Sequence, residues 1–305
     1  MLIGDCASDP PLGATQRTLA AARADDVVYG LGAVALARGH RQLALAVAEA
    51  GARAALARAI AAVGAEVQLV DVADAWPAVA AGARDEVLPA SALVAVADEA
   101  RGRAAAATVS VVGALAQPAV VSCARSTTMA ELVAGAGGAL DDDWLPVAGG
   151  APAGRLVARE ATWTEAGAPS LVLILPARHE WVRRLRTTVG DWLWRAASAC
   201  EGCRACSDAC PARLQAHALV ATLATGRDDG TAPAAFAACS GCGVCDAACP
   251  SALSPRALAV EVRERLARGG VTETAKEIRV GIDRALLTLR LGLSGYDRPP
   301  AVRIA

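Results

Sequence analysis

Hydrophobic and polar positions follow two alternating periods along the first third of the chain. Stretches with apolar residues three or four apart, typical of helices, alternate with short runs rich in valine and leucine, typical of strands. In chain order, these helical and strand-like stretches are residues 15–38, 42–47, 52–63 and 66–72. Such an order predicts a β-α-β unit with parallel strands. Pro89 then opens another helical stretch that reaches about Gly102.

A second pattern, made of short β-rich runs, begins at Thr108. Strands are expected at residues 108–115, 118–124, 145–148, 156–160 and 171–175. The segment 127–136 predicts a short helix that ends in a glycine cluster. Together these elements predict a small mixed sheet with one helix.

From Arg178 onward the pattern becomes entirely helical. One amphipathic helix is predicted from four apolar residues at three- or four-residue spacing, namely Trp181, Leu185, Val189 and Trp192. Two later helices are predicted at 257–268 and 273–291. The expected fold class is therefore α/β plus α.

Length and composition narrow the class of protein. At 305 residues the chain exceeds the ~100 to 200 residues of one domain, and the pattern divides it at 1–104, 105–177 and 178–305. Hydrophobic residues make up 54%, yet only one Phe and two Tyr are present, so Leu, Val and Ala must build the cores. The net charge of -1 provides no concentrated basic excess, so nucleic acid is not expected as a partner.

The sequence predicts a cytoplasmic protein without a membrane span. No run approaches the ~18 apolar residues of a membrane helix. The first residues, MLIGDCASDP, lack the charged start and apolar run of a signal peptide. Peripheral association with a membrane complex or a microcompartment is compatible with this expectation.

Ten cysteines in a chain without an export signal favour metal ligation over disulfides, because the cytosol keeps thiols reduced. Eight of them form two consecutive motifs of spacing C-x2-C-x2-C-x3-C-P. The motifs are Cys200, Cys203, Cys206, Cys210 and Pro211, then Cys239, Cys242, Cys245, Cys249 and Pro250. This spacing is typical of two 4Fe-4S clusters, in which the fourth cysteine of each motif ligates the other cluster. The predicted ligands are Cys200, Cys203, Cys206 and Cys249 for cluster 1, and Cys239, Cys242, Cys245 and Cys210 for cluster 2.

Crossed ligation requires sharp changes of chain direction. Each motif's proline discourages helix at the preceding cysteine, and Gly202, Gly241 and Gly243 allow the backbone to approach the cluster sulfurs. Two zinc sites are the alternative, since C-x2-C pairs also bind zinc. A third cysteine at the same interval and a fourth before proline, occurring twice, favour the clusters. No catalytic residue is predicted.

The remaining candidate residues have simpler interpretations. Cys6 and Cys123 lie alone in apolar surroundings and are expected to be buried thiols. The histidines, which are too widely separated to suggest a triad or a second metal site, are His40, His179 and His217. A tryptophan group is expected to pack the helix before the first motif or to shield its cluster, and consists of Trp181, Trp192 and Trp194.

Residues 26–35 imitate a dinucleotide-binding turn. Gly30, Gly32 and Ala35 follow the pattern G-x-G-x-x-A, and Glu49 lies near the position of a ribose-binding acid. The strand before this turn would be only about three residues long, and its flanks are helical. We therefore expect a continuous helix through Arg38.

With the two motifs behind a β-α-β region and a small sheet, the chain resembles the RnfC/PduS-like electron-transfer family. This family contains one of the subunits of Rnf complexes and a cobalamin reductase of microcompartments. Residues 4–72 resemble the later part of the flavin- and NADH-binding domain shared with complex I. The stretch TVSVVGALAQPAVVSCARSTTMAELVAGAGG resembles an SLBB domain, a soluble-ligand-binding β-grasp, and LPVAGGAPAGRLV resembles the family's GGP-type segment. The closing RLGLSGYDRPPAVR is similar to the end of the cobalamin-reductase branch.

The resemblance implies three domains. They are a truncated flavin/NADH-binding-like α/β domain at 1–104, an SLBB-like β-grasp at 105–177 and a helical ferredoxin-like 2×4Fe-4S domain at 178–305. It also implies a flavin pocket, from which this sequence departs twice. The family's glycine-rich phosphate loop precedes the matched region and is not among these residues. In the family's acidic turn, Cys6 and Ala7 replace the two internal acids, and only Asp9-Pro10 is retained. We therefore expect FMN to bind poorly.

The function expected from the sequence is an electron relay, an oxidoreductase component rather than a stand-alone catalyst. The resemblance implies NADH as the donor, a mediating flavin and a corrinoid as the acceptor. Without the flavin, a separate flavoprotein or ferredoxin is expected to supply the electrons, and a protein or a corrinoid to accept them. Two alternatives stay open. One is an FMN-dependent NADH or cobalamin reductase whose flavin loop is encoded upstream or supplied by a partner. The other is an assembly or docking subunit with structural clusters.

Overall fold

In the computed structural model the described residues are 1–79, 81–82, 84–104, 106–226, 231–273 and 275–304. The strands, in chain order, are β1 (Leu2–Asp5), β2 (Leu43–Val47), β3 (Gln68–Asp71), β4 (Ala75–Trp76), β5 (Ala81–Gly82), β6 (Glu86–Pro89), β7 (Ala107–Gly113), β8 (Ala119–Cys123), β9 (Trp144–Ala148), β10 (Arg155–Leu156), β11 (Leu171–Pro176), β12 (Glu277–Ile278), β13 (Ile282–Asp283) and β14 (Ala301–Arg303). The α-helices are α1 (Thr15–Ala22), α2 (Ala24–Arg38), α3 (Ala50–Val63), α4 (Ala90–Ala100), α5 (Met129–Gly135), α6 (Glu180–Arg186), α7 (Val189–Ala199), α8 (Ala205–Asp208), α9 (Ala216–Thr225), α10 (Thr231–Ala234), α11 (Val244–Ala248), α12 (Pro255–Arg268) and α13 (Arg284–Arg290). Short 3₁₀ helices span Ala235–Ala238 and Ser294–Tyr296.

The first sheet is parallel, with strand order β3-β2-β1-β6. The alternating pattern predicted the parallel strands β2 and β3 but neither β1 nor β6. All four residues of β1 are buried, and the strand pairs with both β2 and β6. A four-residue strand buried on both faces carries no alternation, so its pattern is too short to recognise.

The helix expected over residues 15–38 is divided at Arg23. This residue leaves helical geometry, with φ -128° and ψ 38°, and its guanidinium binds Asp26 and Asp98. Residues 26–35 lie inside α2, which confirms the helical interpretation over a dinucleotide turn. Gly30 allows α2 to approach α4, since a Cβ there would lie 2.0 Å from the Leu93 carbonyl oxygen.

The second sheet is mixed, with strand order β10-β9-β11-β7-β8-β14. Strands β7 and β11 are parallel, whereas β7 and β8 are antiparallel. Helix α5 covers one face and begins with a capping box between Thr128 and Glu131. The strand expected at 156–160 is shorter and lies at Arg155–Leu156, and the edge strand β14 was not predicted.

The expectation of an entirely helical region after Arg178 is wrong. Strands β12 and β13 pair antiparallel with β5 and β4, and β14 pairs parallel with β8. The helix expected at 273–291 is reduced to α13. Gly281 sits against the backbone of Trp76, where a Cβ would lie 1.9 Å from the carbonyl oxygen. This close pairing with a distant segment overrides the local helical pattern.

The amphipathic helix before the first cysteine motif is also two helices, α6 and α7. Thr187 ends α6 in extended geometry, and the Thr188 side chain accepts a hydrogen bond from the Asp191 amide to begin α7. Within the part of the chain that the structure describes, no helix is long and apolar enough to cross a bilayer.

Candidate metal centre

Each cysteine motif forms a loop that leads into a short helix, α8 in the first motif and α11 in the second. Two residues of each loop adopt the left-handed conformation. Gly202 and Gly241 are equivalent, with φ of 67° and 71°. Arg204 and Gly243 are also equivalent, with φ of 66° and 77°. The three glycines were predicted from the sequence to approach the cluster sulfurs, but the position of Arg204 was not.

The difference between Arg204 and Gly243 has a packing cause. A Cβ on Gly243 would lie 2.7 Å from the Pro152 carbonyl oxygen, so the second motif touches the loop after β9. Arg204 is exposed and its side chain has room. The glycine is therefore required where the second motif meets the mixed sheet, but not where the first motif faces solvent.

The eight thiols fall into two groups. We call the first site I (Cys200, Cys203, Cys206 and Cys249), since these four residues line one cavity. Burial raises the pKa of Cys206 to about 11, and the neighbouring Cys249 adds to this rise. The fourth cysteine of the second motif therefore lies beside the first three of the first motif.

We call the second group site II (Cys239, Cys242, Cys245 and Cys210). Burial raises the pKa of the three thiols from the second motif, and proximity to Cys210 adds to the rise at each of them. Cys210 belongs to the first motif, so the exchange of fourth cysteines is reciprocal. Each group therefore contains three cysteines of one motif and one of the other. The crossed ligation of two clusters stays a prediction.

Site I and site II differ in their surroundings. Cys200 and Cys203 in site I are exposed, whereas all four cysteines of site II are partly buried. Three guanidinium groups donate to backbone carbonyls of the site II loops. These contacts are Arg263 Nη1 to Cys239 O at 2.8 Å, Arg256 Nε to Gly241 O at 2.9 Å, and Arg279 Nη2 to Cys210 O at 3.1 Å.

The residue after the third cysteine has the same role in both motifs. Ser207 Oγ accepts a hydrogen bond from the His217 amide at 3.0 Å, and Asp246 Oδ1 accepts one from the Arg256 amide at 2.8 Å. Both amides lie in the first turn of the next helix, α9 or α12. Ser254 Oγ also donates to Asp246 Oδ2 at 2.6 Å. This link was not predicted, although the polar residue directly after each third cysteine could have indicated it.

The donor chemistry fits two 4Fe-4S clusters. Each site offers four thiols, which is the ligand set of such a cluster, and the four thiolates of a site would hold it.

Of the remaining cysteines and histidines, all of which the structure describes, only His217 lines a cysteine site. Cys6 and Cys123 are buried as predicted, and burial raises the pKa of Cys123 to about 11. The histidines have separate roles: His40 binds Glu86, His179 caps α6, and His217 binds Ser207 and lines the site I cavity.

The tryptophan group was expected to pack the helix before the first motif or to shield its cluster, and only two of its three members are buried. Trp181 and Trp192 are 3% and 2% exposed, but Trp194 is 75% exposed. Trp192 lies in a core that Cys249 also contacts, so it is the member nearest the cluster ligands. Trp194 points away because it lies on the opposite side of α7 from Trp192.

The segment at the family's acidic turn serves the fold. Cys6 and Ala7 are fully buried. Asp9 Oδ1 accepts from the Gln16 amide at 2.9 Å and Oδ2 accepts from the Arg17 amide at 3.2 Å, which holds the first turn of α1. A crevice of about 470 Å³ lies beside this segment at the carboxyl ends of β1 and β6, and Trp76 forms part of its wall.

Comparison with known proteins identifies the cysteine region. Residues 199–253 match the family described as 4Fe-4S dicluster domain. No curated protein matches the chain. A similar solved structure is a crystal structure of NAD+-reducing [NiFe]-hydrogenase in the air-oxidized state, with a TM-score of 0.48 and 17% identity, covering 98% of this chain and 61% of that chain. The chain thus spans less than two thirds of that protein's length. Residues 199–253 of the chain described here form a 4Fe-4S dicluster domain.

Proposed function

We propose that this chain is an electron-transfer protein that passes single electrons through two 4Fe-4S clusters. Site I would hold one cluster through Cys200, Cys203, Cys206 and Cys249. Site II would hold the other through Cys239, Cys242, Cys245 and Cys210. The observation that carries the proposal is the reciprocal exchange of Cys210 and Cys249 between two loops of identical spacing.

When bound, such clusters supply reversible one-electron chemistry whose potential depends on charge, hydrogen bonding and exposure. The protein residues determine those conditions. At site I the exposed Cys200 and Cys203 leave the cluster position open to a partner. At site II, Arg256, Arg263 and Arg279 place positive charge beside the ligand loops. The two sites are therefore expected to have different potentials, with site I as the place of exchange with partner proteins.

The finer assignment is to the RnfC/PduS-like family. It divides the chain into a truncated flavin/NADH-binding-like domain (1–104), an SLBB-like β-grasp (105–177) and a ferredoxin-like domain (178–305). The parallel sheet, the mixed sheet with α5, and the dicluster domain support this order. Under this assignment the donor is a flavoprotein or ferredoxin, and the acceptor is a protein or a corrinoid.

FMN is not part of the proposed function. The two positions of the family's internal acids, Cys6 and Ala7, are fully buried, and Asp9 is engaged with α1. A reductase that completes its flavin pocket with another segment remains the second candidate, favoured by the crevice beside Trp76. Purified protein with a flavin absorbance band and NADH-dependent corrinoid reduction would favour the reductase over the relay.

The decisive experiment is anaerobic purification followed by metal analysis and redox titration. We expect about eight irons per chain and a spin-coupled electron paramagnetic resonance (EPR) signal from two reduced clusters. Zinc at about one per motif would overturn the cluster assignment. Clusters that bind but do not reduce reversibly or pass electrons to an added acceptor would instead identify a structural or docking subunit.

A further inference from the structure

A cavity of about 600 Å³ lies away from the cysteine sites, between α1, α13 and the C-terminal segment. Its charged lining consists of Arg17, Glu49, Asp74, Arg284, Asp297 and Arg298. The proposed electron-transfer function uses none of these residues.

Arg284 is the unusual member of this lining. Its side chain is only 14% exposed. Its Nη1 atom is buried without a hydrogen-bond partner in the described residues. The Asp74 carboxylate oxygen lies 3.3 Å from Nη1, but this contact is not a hydrogen bond, and Asp74 is 54% exposed. A guanidinium offers five donors in a planar fork, and leaving the Nη1 donors unmet away from water costs free energy.

Arg17 lines the same cavity, and each of its three guanidinium nitrogens donates a hydrogen bond. Its Nε donates to Asp9, its Nη1 to Glu49 at 2.8 Å and its Nη2 to Gly13 O at 2.6 Å. Burial lowers the pKa of Arg284, and the positive charge of Arg17 lowers it further. The fold therefore holds two guanidinium groups close together, of which only that of Arg17 is fully paired among the described residues.

We propose that this cavity binds a small carboxylate, whose oxygens accept hydrogen bonds from the Arg284 guanidinium. A planar carboxylate matches the fork of a guanidinium and would satisfy the donors that the protein leaves free. Glu49 and Asp74 also line this cavity, and their side chains are 52% and 54% exposed. An amino group on the same ligand would face these two acids, so an amino acid-like zwitterion fits better than a plain carboxylate.

Three probes of equal length test the proposal on the anaerobically purified holoprotein by thermal unfolding at matched ionic strength. They are 6-aminohexanoate, hexanoate and hexylamine. We expect a saturable rise of Tm with 6-aminohexanoate, a weaker one with hexanoate and none with hexylamine. Equal shifts with hexylamine, or no saturable shift with either carboxylate, would overturn the proposal.

Arg284→Gln should weaken the apparent affinity for both carboxylates at least about tenfold. Arg290→Gln, at an exposed position on the same helix, should leave it unchanged. Without probe, the Arg284→Gln protein should be as stable as the wild type or more stable, because removing a buried, incompletely paired charge relieves its desolvation cost. A lower Tm without probe would mean that the Arg284 charge is already paired within the fold, and would refute the proposal. Arg284→Lys, which keeps the charge, should retain measurable binding.

Discussion

The indole Nε1 of Trp76 donates a hydrogen bond to the carbonyl oxygen of Cys242, 3.3 Å away. Trp76 belongs to β4, in the α/β part of the chain, and Cys242 is a cysteine of site II. The bond therefore joins residues 166 positions apart. Strand β13 pairs with β4 on the other side, so the C-terminal segment, the α/β part and site II meet at this tryptophan.

Trp76→Phe removes the indole N–H while it keeps an aromatic ring. We expect a loss of about 1 kcal/mol in the free energy of unfolding, the usual contribution of one hydrogen bond. Anaerobic urea unfolding followed by circular dichroism measures this loss. Trp194→Phe is the matched control, because Trp194 is 75% exposed and its replacement should cost almost nothing. Equal losses in both variants would contradict the anchoring role of Trp76.

Cys210→Ala tests the crossed ligation directly. Cys210 stands in the first motif but lies with the thiols of the second, so its loss should damage the site II cluster and spare site I. Cys206→Ala should do the reverse. Iron content should fall from about eight toward about four in both variants, and the EPR signal of the surviving cluster should differ between them. Identical residual signals would be incompatible with crossed ligation.

Arg263→Met should lower the midpoint potential of the cluster in site II and leave the potential of the cluster in site I unchanged. Reduction adds negative charge to a cluster, and Arg263 donates to the Cys239 carbonyl at 2.8 Å, so its positive charge favours the reduced form. An EPR-monitored redox titration measures both potentials. Arg268 lies on the same helix but is exposed, so Arg268→Met should change neither potential. Arg263→Lys keeps the positive charge, so the site II potential of this variant should stay close to that of the wild type.

Gly243→Ala should disturb site II more than Gly202→Ala disturbs site I. Both glycines have positive φ, 77° and 67°, so each alanine pays about 1 kcal/mol or more of backbone strain. Only Gly243 also lacks space, since its new Cβ would lie 2.7 Å from Pro152 O, whereas nothing lies within 4 Å of the position at Gly202. Tm and iron content of the two variants measure the difference.

Asp26→Asn should destabilise the contact between α2 and α4. The Asp26 carboxylate binds Arg23, Arg101 and Arg103, and we expect a loss of about 2 kcal/mol because hydrogen bonds between charged groups are removed. Burial raises the pKa of Asp26, but the bonds from Arg103 and Arg23 outweigh this and lower it overall.

The pH dependence of that loss follows from the lowered pKa. The stabilisation is fully present above the unfolded-state pKa of about 3.9 and fades as the pH falls through the folded-state value. The difference between wild type and the Asp26→Asn protein should therefore stay constant from neutral pH to about 5 and narrow below it. Anaerobic thermal unfolding across this range measures it. A difference that grows on acidification would contradict the ion-pair interpretation.

The sequence by itself determined the features that rest on local pattern. Spacing alone identified the two cysteine motifs, since the geometry of a cluster requires thiols at fixed short intervals. Periodicity located strands β2, β3, β7, β8 and β11 and helices α3, α4, α5 and α12 within a few residues. It also placed residues 26–35 in a helix, because helical flanks continue through them.

Tertiary structure decided everything that depends on a distant partner. Strand β1 is defined by the two strands it lies between, and β12 to β14 by strands more than 180 positions earlier in the chain. None of these four strands is long enough to leave a periodic signal in the sequence. The arginines around site II and the incompletely paired Arg284 belong to the same class. Each owes its role to the groups that the fold places beside it, and those groups are far away in the sequence.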